Sequence, residues 1–483
     1  MKTFVLAAMA LAASALAAPT RAAQPVVALP QWSSDQVRAA RPLDPADALV
    51  FEVRRTRKTD AGSQTSSETV TLAPTFTLVA TADGARLYDR TLCRVLAWSS
   101  DKPRLSSVNC HADPGVRMLE LVEREKSKTR DKAQAYWDEA GQGVQSKPAA
   151  PLTKSGAEAD TQYRLGGEVV VRIAGDAGAM SPAEAGLLVG YLARSGDLHP
   201  QVRRDIKARG RLPGRLEIIV GPAGKDRAAL TVEISNPRRA SVAYPLPAGL
   251  APAVRAQGIL GGSPAEQGLQ AALLAIEGRS TLHKPSFAEL VEQMRKASAA
   301  KQQINVMLLY SNMGNQYLTE MAAMTPATRA DMTIWVNEAL KDTTAARYWV
   351  ADGIAGGKGT DKQQAANFLA NAKFQGLPFG TYRYVTFANI VRGADDVARW
   401  DPAILKAMPQ PIAANYWTHI AAYPWSSFAY KDVGDTYLQA RDEEAAWLAF
   451  DLGRAVDPNW RIGPMGALAN YETALRTTVP DFF

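Results

Sequence analysis

Cysteine and histidine are scarce in this 483-residue chain, and their scarcity removes whole classes of chemistry. The two cysteines, Cys93 and Cys110, form no C-x-x-C redox motif and leave no second thiol pair for a zinc site. The four histidines, His111, His199, His283 and His419, show neither H-x-x-x-H nor H-x-x-E-H spacing, so no metal centre is expected. Beyond the N-terminus the long apolar runs are missing too. Nothing there approaches the roughly 20 residues that a membrane-spanning helix needs. No charge of one sign dominates: 55 Lys+Arg stand against 48 Asp+Glu, with 47% hydrophobic residues. That balance is ordinary for a globular protein and excludes a fully disordered one.

Catalytic motifs fail for specific reasons. Ser99-x-x-Lys102 followed by Lys154-Ser155-Gly156 has residue types used by serine acyl-transferases, but those enzymes start a buried helix with the serine. Here the pair falls in an expected hairpin loop. Between Gly353 and Thr360 the glycines suggest a phosphate loop, yet Asp352 holds the place of its first glycine. Gly359 follows Lys358 where Ser or Thr is needed. The neighbours Asp395-Asp396 and Glu443-Glu444 do not face one site on a helix and read as first-turn charges. No catalytic residue and no cofactor site is assigned.

What is present begins with an export signal over residues 1–23. Lys2 supplies a positive start, Phe4 to Ala13 an apolar run, and Ala15-Leu16-Ala17 small residues at a cleavage point. Cleavage before Gln24 is an alternative, and no cysteine lies nearby to carry a lipid anchor. The expected location is periplasmic or secreted, soluble after cleavage. That compartment favours a Cys93–Cys110 disulfide. Centring a hairpin on Ser100-Asp101-Lys102-Pro103 places Trp98 opposite Leu105, Val95 opposite Val108 and Cys93 opposite Cys110. Directly opposed residues lie within disulfide reach.

Two textures divide the chain. Residues 24–245 carry β-branched, alternating runs: Leu49–Val53, Thr69–Leu72, Phe76–Val79, Glu168–Ile173, Leu216–Val220 and Leu230–Ile234. Leu119–Ala140 reads as one helix, Ser181-Pro182 starts another, and Gln142–Ala159 reads as a long loop or linker. Residues 246–263 form a Pro/Gly connector. Residues 264–483 are Ala-rich with helical spacing. The expected fold is therefore an α+β domain of mainly antiparallel strands, followed by an all-helical domain. From Ser263 onward 20 Lys/Arg stand against 22 Asp/Glu, leaving 35 against 26 upstream. The basic character belongs to the first region.

Two clusters carry it: Arg54, Arg55, Arg57 and Lys58, and then Arg203, Arg204, Lys207, Arg209, Arg211 and Arg215. These are candidate contacts for an anionic envelope polymer or lipid surface; outside the cytoplasm, nucleic acid is not an expected partner. A solvated face explains the same charges. Near the C-terminus, residues 427–460 hold Tyr430, Val433-Gly434 and Tyr437, then Ala446, Phe450, Gly453 and Pro458. This pattern resembles a tetratricopeptide repeat, with Val433 in place of the usual Leu and Gly453 in place of the usual Ala. The resemblance implies a helix pair with small residues where the helices approach and a concave surface for protein or peptide partners. One unit cannot bury its own faces, so neighbouring helices are required. The leading expectation is a non-enzymatic exported binding or scaffold protein. The alternative is a cell-envelope hydrolase with its site in the first domain.

Overall fold

Leu49, Phe51 and Val53 alternate along the chain with residues of the opposite face, and this period of two sets β1 (Ala46–Thr59) at the centre of a sheet. The computed structural model describes residues 32–41, 43–125, 131–145, 152–222, 224, 227–253, 263–341, 416–417, 420–457 and 466–483. The export signal at 1–23, the 353–360 loop, Asp395-Asp396, His419 and Pro458 lie outside the described residues. Two antiparallel meanders meet at β1. One continues through β2 (Gly62–Ala73), β3 (Phe76–Thr81), β4 (Gly84–Asp89), β5 (Arg94–Ser99) and β6 (Arg104–Asn109). The other comprises β7 (Thr153–Ala157), β8 (Asp160–Leu165), β9 (Glu168–Ala179), β10 (Arg211–Val220) and β11 (Ala228–Val242), and joins through β11 against β1. The two-residue β12 (Ala251–Pro252) adds in parallel to β6, which completes a 12-stranded sheet in the order β12-β6-β5-β4-β3-β2-β1-β11-β10-β9-β8-β7.

The strands outrun the apolar patches that announced them. β1 extends through Arg54-Arg55-Thr56-Arg57-Lys58 because β2 and β11 pair with that stretch on both sides. The segment 142–159, read above as a loop or linker, contains β7, whose pairing with β8 supplies the order that its Gly/Ser/Pro composition did not suggest. Among the described residues of the N-terminal region, the helices are α1 (Ser34–Ala39), α2 (Ala112–Glu125), α3 (Lys132–Gln142), α4 (Pro182–Ser195) and α5 (Pro200–Arg209). The single helix expected over 119–140 is thus two, the second opened by an Asp131 cap whose side chain accepts from the Gln134 amide. Ser181 caps α4 as expected, with Glu184 closing a capping box.

Opposite faces of the sheet bury different cores. Phe51, Val53, Val70 and Ile173 pack beneath Tyr136 of α3, Leu188, Tyr191 and Leu192 of α4, and Val202 and Ile206 of α5. On the reverse face of β3–β6, Phe76, Leu87, Leu96 and Leu105 are covered by Trp32, Val37 and the returning segment Tyr244–Leu250. Leu246 and Leu250 come from the expected connector, so its first part is built into the sheet's end.

The β5–β6 hairpin follows the anticipated register. Its ladder runs from Arg94↔Asn109 through Val95↔Val108 to Ala97↔Ser106. Cys93 and Cys110 lie at its foot, disulfide-bonded with Cα atoms 4.9 Å apart. Closing a loop of this length contributes about 3 kcal/mol by restricting the unfolded chain.

Among the described residues beyond 262 the chain is helical. α7 (Phe287–Ala299), α8 (Gln303–Gln316), α9 (Leu318–Ala322) and α10 (Pro326–Lys341) surround a methionine-rich core that includes Met294, Met307, Met313 and Met332. Tyr317, whose backbone leaves the helical region, separates α8 from α9. α11 (Ser427–Gln439) and α12 (Glu443–Val456) form a helix pair with its turn at Arg441, in a left-handed conformation (φ 63°). Asp442 caps α12 by accepting from the Ala445 amide. This pair is not isolated from the sheet region. Its core is shared with Ala112 and Val116 of α2 and with Ala265, Leu269 and Ala272 of α6 (Ser263–Ile276). α13 (Gly466–Thr478) and the closing 3-10 turn Pro480–Phe482 seal Met118 and Leu121 of α2 and Ala193 of α4. Packing therefore crosses the 246–263 boundary.

Candidate functional site

Side chains at i and i+2 on a strand share a face. Arg55 and Arg57 on β1, Ser66 and Glu68 on β2, Val79 and Thr81 on β3, and Arg86 and Tyr88 on β4 consequently line one surface. α4 covers the lower part of this surface and ends at Ser195. Beyond its end lies a cleft of about 920 Å³, walled by β1–β5 on one side and by Tyr191, Arg194, Ser195 and Asp197 on the other.

Charge in the cleft is arranged in two groups. Near β1, Arg55 donates to Glu68 (3.0 Å) and to the Tyr191 hydroxyl (2.7 Å). The Tyr191 hydroxyl in turn donates to Glu68. Burial pulls the Arg55 pKa down, but Tyr191 and Glu68 outweigh it and hold it above the usual range. This triad is internally satisfied. Asp197 stands nearby with a positive φ of 65°. Burial raises its carboxyl pKa, against the opposing pull of Arg57, Arg55 and Arg117. Near β4 the balance is different. Tyr88, beside Arg86, holds that guanidinium above its usual range. Arg194 lies over the Tyr88 ring, 4.5 Å from its centroid. Its Nη2 donates to the Phe482 carbonyl, and its Nη1 is buried without a hydrogen bond.

The basic residues singled out in the sequence separate. Arg55 and Arg57 line the cleft, whereas the alternation of β1 turns Arg54 and Lys58 to the other face. The second cluster meets partners within the protein. Arg203 is 2% exposed and binds Asp481 and the carbonyls of Leu198 and Gly143. Arg204 donates to Gln145, Arg209 to Thr161, Arg211 to Asp176, and Arg215 to Glu217. Lys207 runs along α5 beside Gly186 of α4. Arg86, Tyr88, Tyr191 and Arg194 were not singled out from the sequence. An Arg-x-Tyr alternation and an arginine in the last turn of a helix are too common to mark a site. Only the folding of α4 over the sheet brings them together.

The repeat-like residues are core. Tyr430, Val433, Tyr437, Ala446 and Phe450 are each at most 1% exposed, and the Phe450 ring lies directly against Gly434. Gly453 is buried as well.

Where this helix pair meets the sheet, a buried polar network crosses the contact. Asp451 of α12 accepts from Asn109 (2.9 Å) and pairs with Arg94 (2.7 Å) and Arg454 (3.1 Å). Glu472 of α13 binds Arg454 and the Trp447 indole N–H (3.0 Å). His111 sits at its edge, beside the disulfide. The two sulfurs and the His111 ring fall within 4.8 Å of one another, but sulfurs spent in a disulfide supply no thiolate ligands. The Nε2 of His111 faces the Nε of Arg476 at 3.1 Å. Arginine has only N–H to give, so Nε2 must accept, and Nδ1–H donates to Asn109 Oδ1 (2.9 Å).

Burial, reinforced by Arg476 and Arg454, pushes the His111 pKa down to about 3. An unfolded histidine titrates near 6.5. The group's full contribution to stability is therefore present above about 6.5. As pH falls from there toward 3, the unfolded chain takes up a proton that the folded one refuses, and stability drops. Urea titrations of the natural protein and His111→Gln at pH 7 and pH 5 should differ by about 2 kcal/mol in their pH-dependent loss, with the natural protein losing more. Equal losses would show that His111 protonates as freely in the fold as in the unfolded chain.

No protein-family model matches the chain, and no curated protein matches it. A solved structure titled "Lipid-protein interactions in lipovitellin" overlaps at a TM-score of 0.16 with 8% identity, covering 86% of this chain and 53% of that one. The chain thus spans about half the length of the lipovitellin chain, and a likeness this slight carries no argument. No helix among the described residues is long and apolar enough to cross a membrane.

Proposed function

We propose that this is an exported, non-enzymatic binding protein that takes its ligand in the cleft between the β1–β5 face and the end of α4. The observation that carries this reading is the cleft itself: about 920 Å³ of space, within the range of small-molecule sites, with arginines and aromatic residues set on strands and a helix. Sites on such elements hold their geometry better than sites on loops. In this reading the repeat-like pair α11–α12 is a clamp, because the residues that would define a repeat are spent on packing against one another and the sheet region. Partner proteins, if engaged, meet the outer helices.

The test uses the full mature chain. Native mass spectrometry after incubation with a low-molecular-weight envelope extract should reveal one retained species of defined mass. Ala97→Trp, which adds a ring at the half-buried cleft wall where bulky aromatics suit a strand, should abolish retention without lowering the melting temperature. A species retained equally by the variant would remove the cleft from the function and return it to the helical surface.

A further inference from the structure

We propose that the Cys93–Cys110 disulfide is a thiol–disulfide exchange site, reduced by dithiols, with Cys93 as the sulfur that leaves as a thiolate. Two side chains converge on the bond. Arg476 of α13 places Nη2 3.1 Å from Cys93 Sγ and 3.8 Å from Cys110 Sγ. His111 places Nδ1 3.8 Å and 3.6 Å from the same two sulfurs. Both cysteines are half-buried and Arg476 is exposed, so the bond lies on the solvent side of the buried network.

The surrounding charges leave Arg476 to act on the sulfurs. Arg94 pairs with Asp451, and Arg454 with Asp451 and Glu472. The partners of Arg476 are neutral: His111 Nε2 at 3.1 Å, the Phe483 ring 4.6 Å from the guanidinium carbon, and the two sulfurs. With Nε fixed on His111, the planar fork turns Nη2 onto Cys93. A disulfide sulfur is a weak acceptor and gains little from that contact. A thiolate at the same place accepts a charge-assisted hydrogen bond, and a neighbouring arginine favours the thiolate over the thiol. The contact therefore favours the reduced pair over the oxidised one, and Cys93 over Cys110 as its anion. Cys93 also has a left-handed backbone (φ 52°), a conformation costly for a residue with a Cβ. Strained residues of this kind collect at functional sites.

The exchange runs in two steps. A thiolate of the dithiol attacks Cys110 Sγ, the bond to Cys93 breaks, and its electron pair goes to Cys93 Sγ beside Arg476. A mixed disulfide is left on Cys110. The second thiolate of the dithiol then attacks the reductant's own sulfur in that bond, and Cys110 leaves and takes up a proton. Two electrons have passed from the dithiol, now a disulfide, to the cysteine pair. A thiol of lower pKa leaves faster, so Arg476 acts on the first step.

The test uses the full chain in native buffer at pH 7, with dithiothreitol as the dithiol and alkylation followed by mass spectrometry as the readout. The natural protein should be reduced before any loss of circular dichroism, at least tenfold faster than Arg476→Gln. In a glutathione redox buffer, Arg476→Gln should favour the disulfide tenfold more strongly, a shift of about 30 mV. Arg476→Lys should recover part of both effects, whereas Arg295→Gln on α7 should change neither. In Cys110→Ala, the thiol left at Cys93 should alkylate with a pKa below the usual value of about 8.5, and adding Arg476→Gln should return it there. If Cys110→Ala does not fold, the Arg476 comparison in the disulfide-bonded chain decides alone. Reduction that waits on unfolding, equal rates for the natural protein and Arg476→Gln, or a glutathione adduct mapped to Cys93 instead of Cys110 would each overturn the proposal.

Discussion

Asp451→Ala will destabilise the protein by about 3–5 kcal/mol, the cost of removing one partner from a buried ion pair. The carboxylate is 1% exposed and is shared by Asn109, Arg94 and Arg454. Arg454 keeps Glu472, whereas Arg94, 3% exposed on β5, loses the carboxylate that reaches it across the contact. Because Arg94 belongs to the sheet and Asp451 to α12, the loss should appear as loosened docking as well as lower stability. Hydrogen exchange should rise first in α12 and α13 and at the foot of the β5–β6 hairpin. Chemical denaturation measures the total. A loss below 1 kcal/mol would mean that the network adapts around the missing charge. The double variant Arg94→Met/Asp451→Leu should recover much of the loss, since replacing a whole buried pair with apolar side chains is often neutral.

Phe450→Ala carries the second large effect, again about 3–5 kcal/mol, from lost transfer free energy and the cavity left behind. Phe450 is 1% exposed, packs edge-on against Trp447 with centroids 5.5 Å apart, and covers Gly434. The reciprocal change is informative. Gly434→Ala places a methyl inside the Phe450 ring's contact distance and should cost about 1–3 kcal/mol by overpacking. Combining it with Phe450→Leu should cost less than the two single changes together. Strict additivity in thermal or urea unfolding would show that residues 434 and 450 are energetically independent, against the contact between them.

How much of the fold was legible depends on how local each cause is. The hairpin register follows from turn chemistry and the period of two, both properties of neighbouring residues. The pairing of Cys93 with Cys110 and the ladder from Arg94 to Asn109 were therefore readable from the sequence. The α4 start was equally local, because Ser181, Pro182 and Glu184 form a complete capping signal within four residues. The strand at 153–157 was not readable. Its residues are all exposed, so no apolar alternation marks them, and only pairing with β8 defines the strand. The break between α2 and α3 was hidden because the charged residues around it suit a helix as well as a turn.

The candidate site was least legible of all. Arg55 and Arg57 drew notice because they sit in a run of like charge, but a run cannot tell which side chains share a face with which distant partners. Arg203 through Arg215 drew notice for the same reason, and the fold engages most of that cluster internally. By itself the sequence determined what neighbouring residues settle among themselves: antiparallel strands before helices, the disulfide, and a helix pair with small residues at its approach. Tertiary structure alone decided which charges are compensated. Asp481 is spent on Arg203 and Asp451 on Arg94, because burial and ion pairing depend on groups hundreds of residues apart.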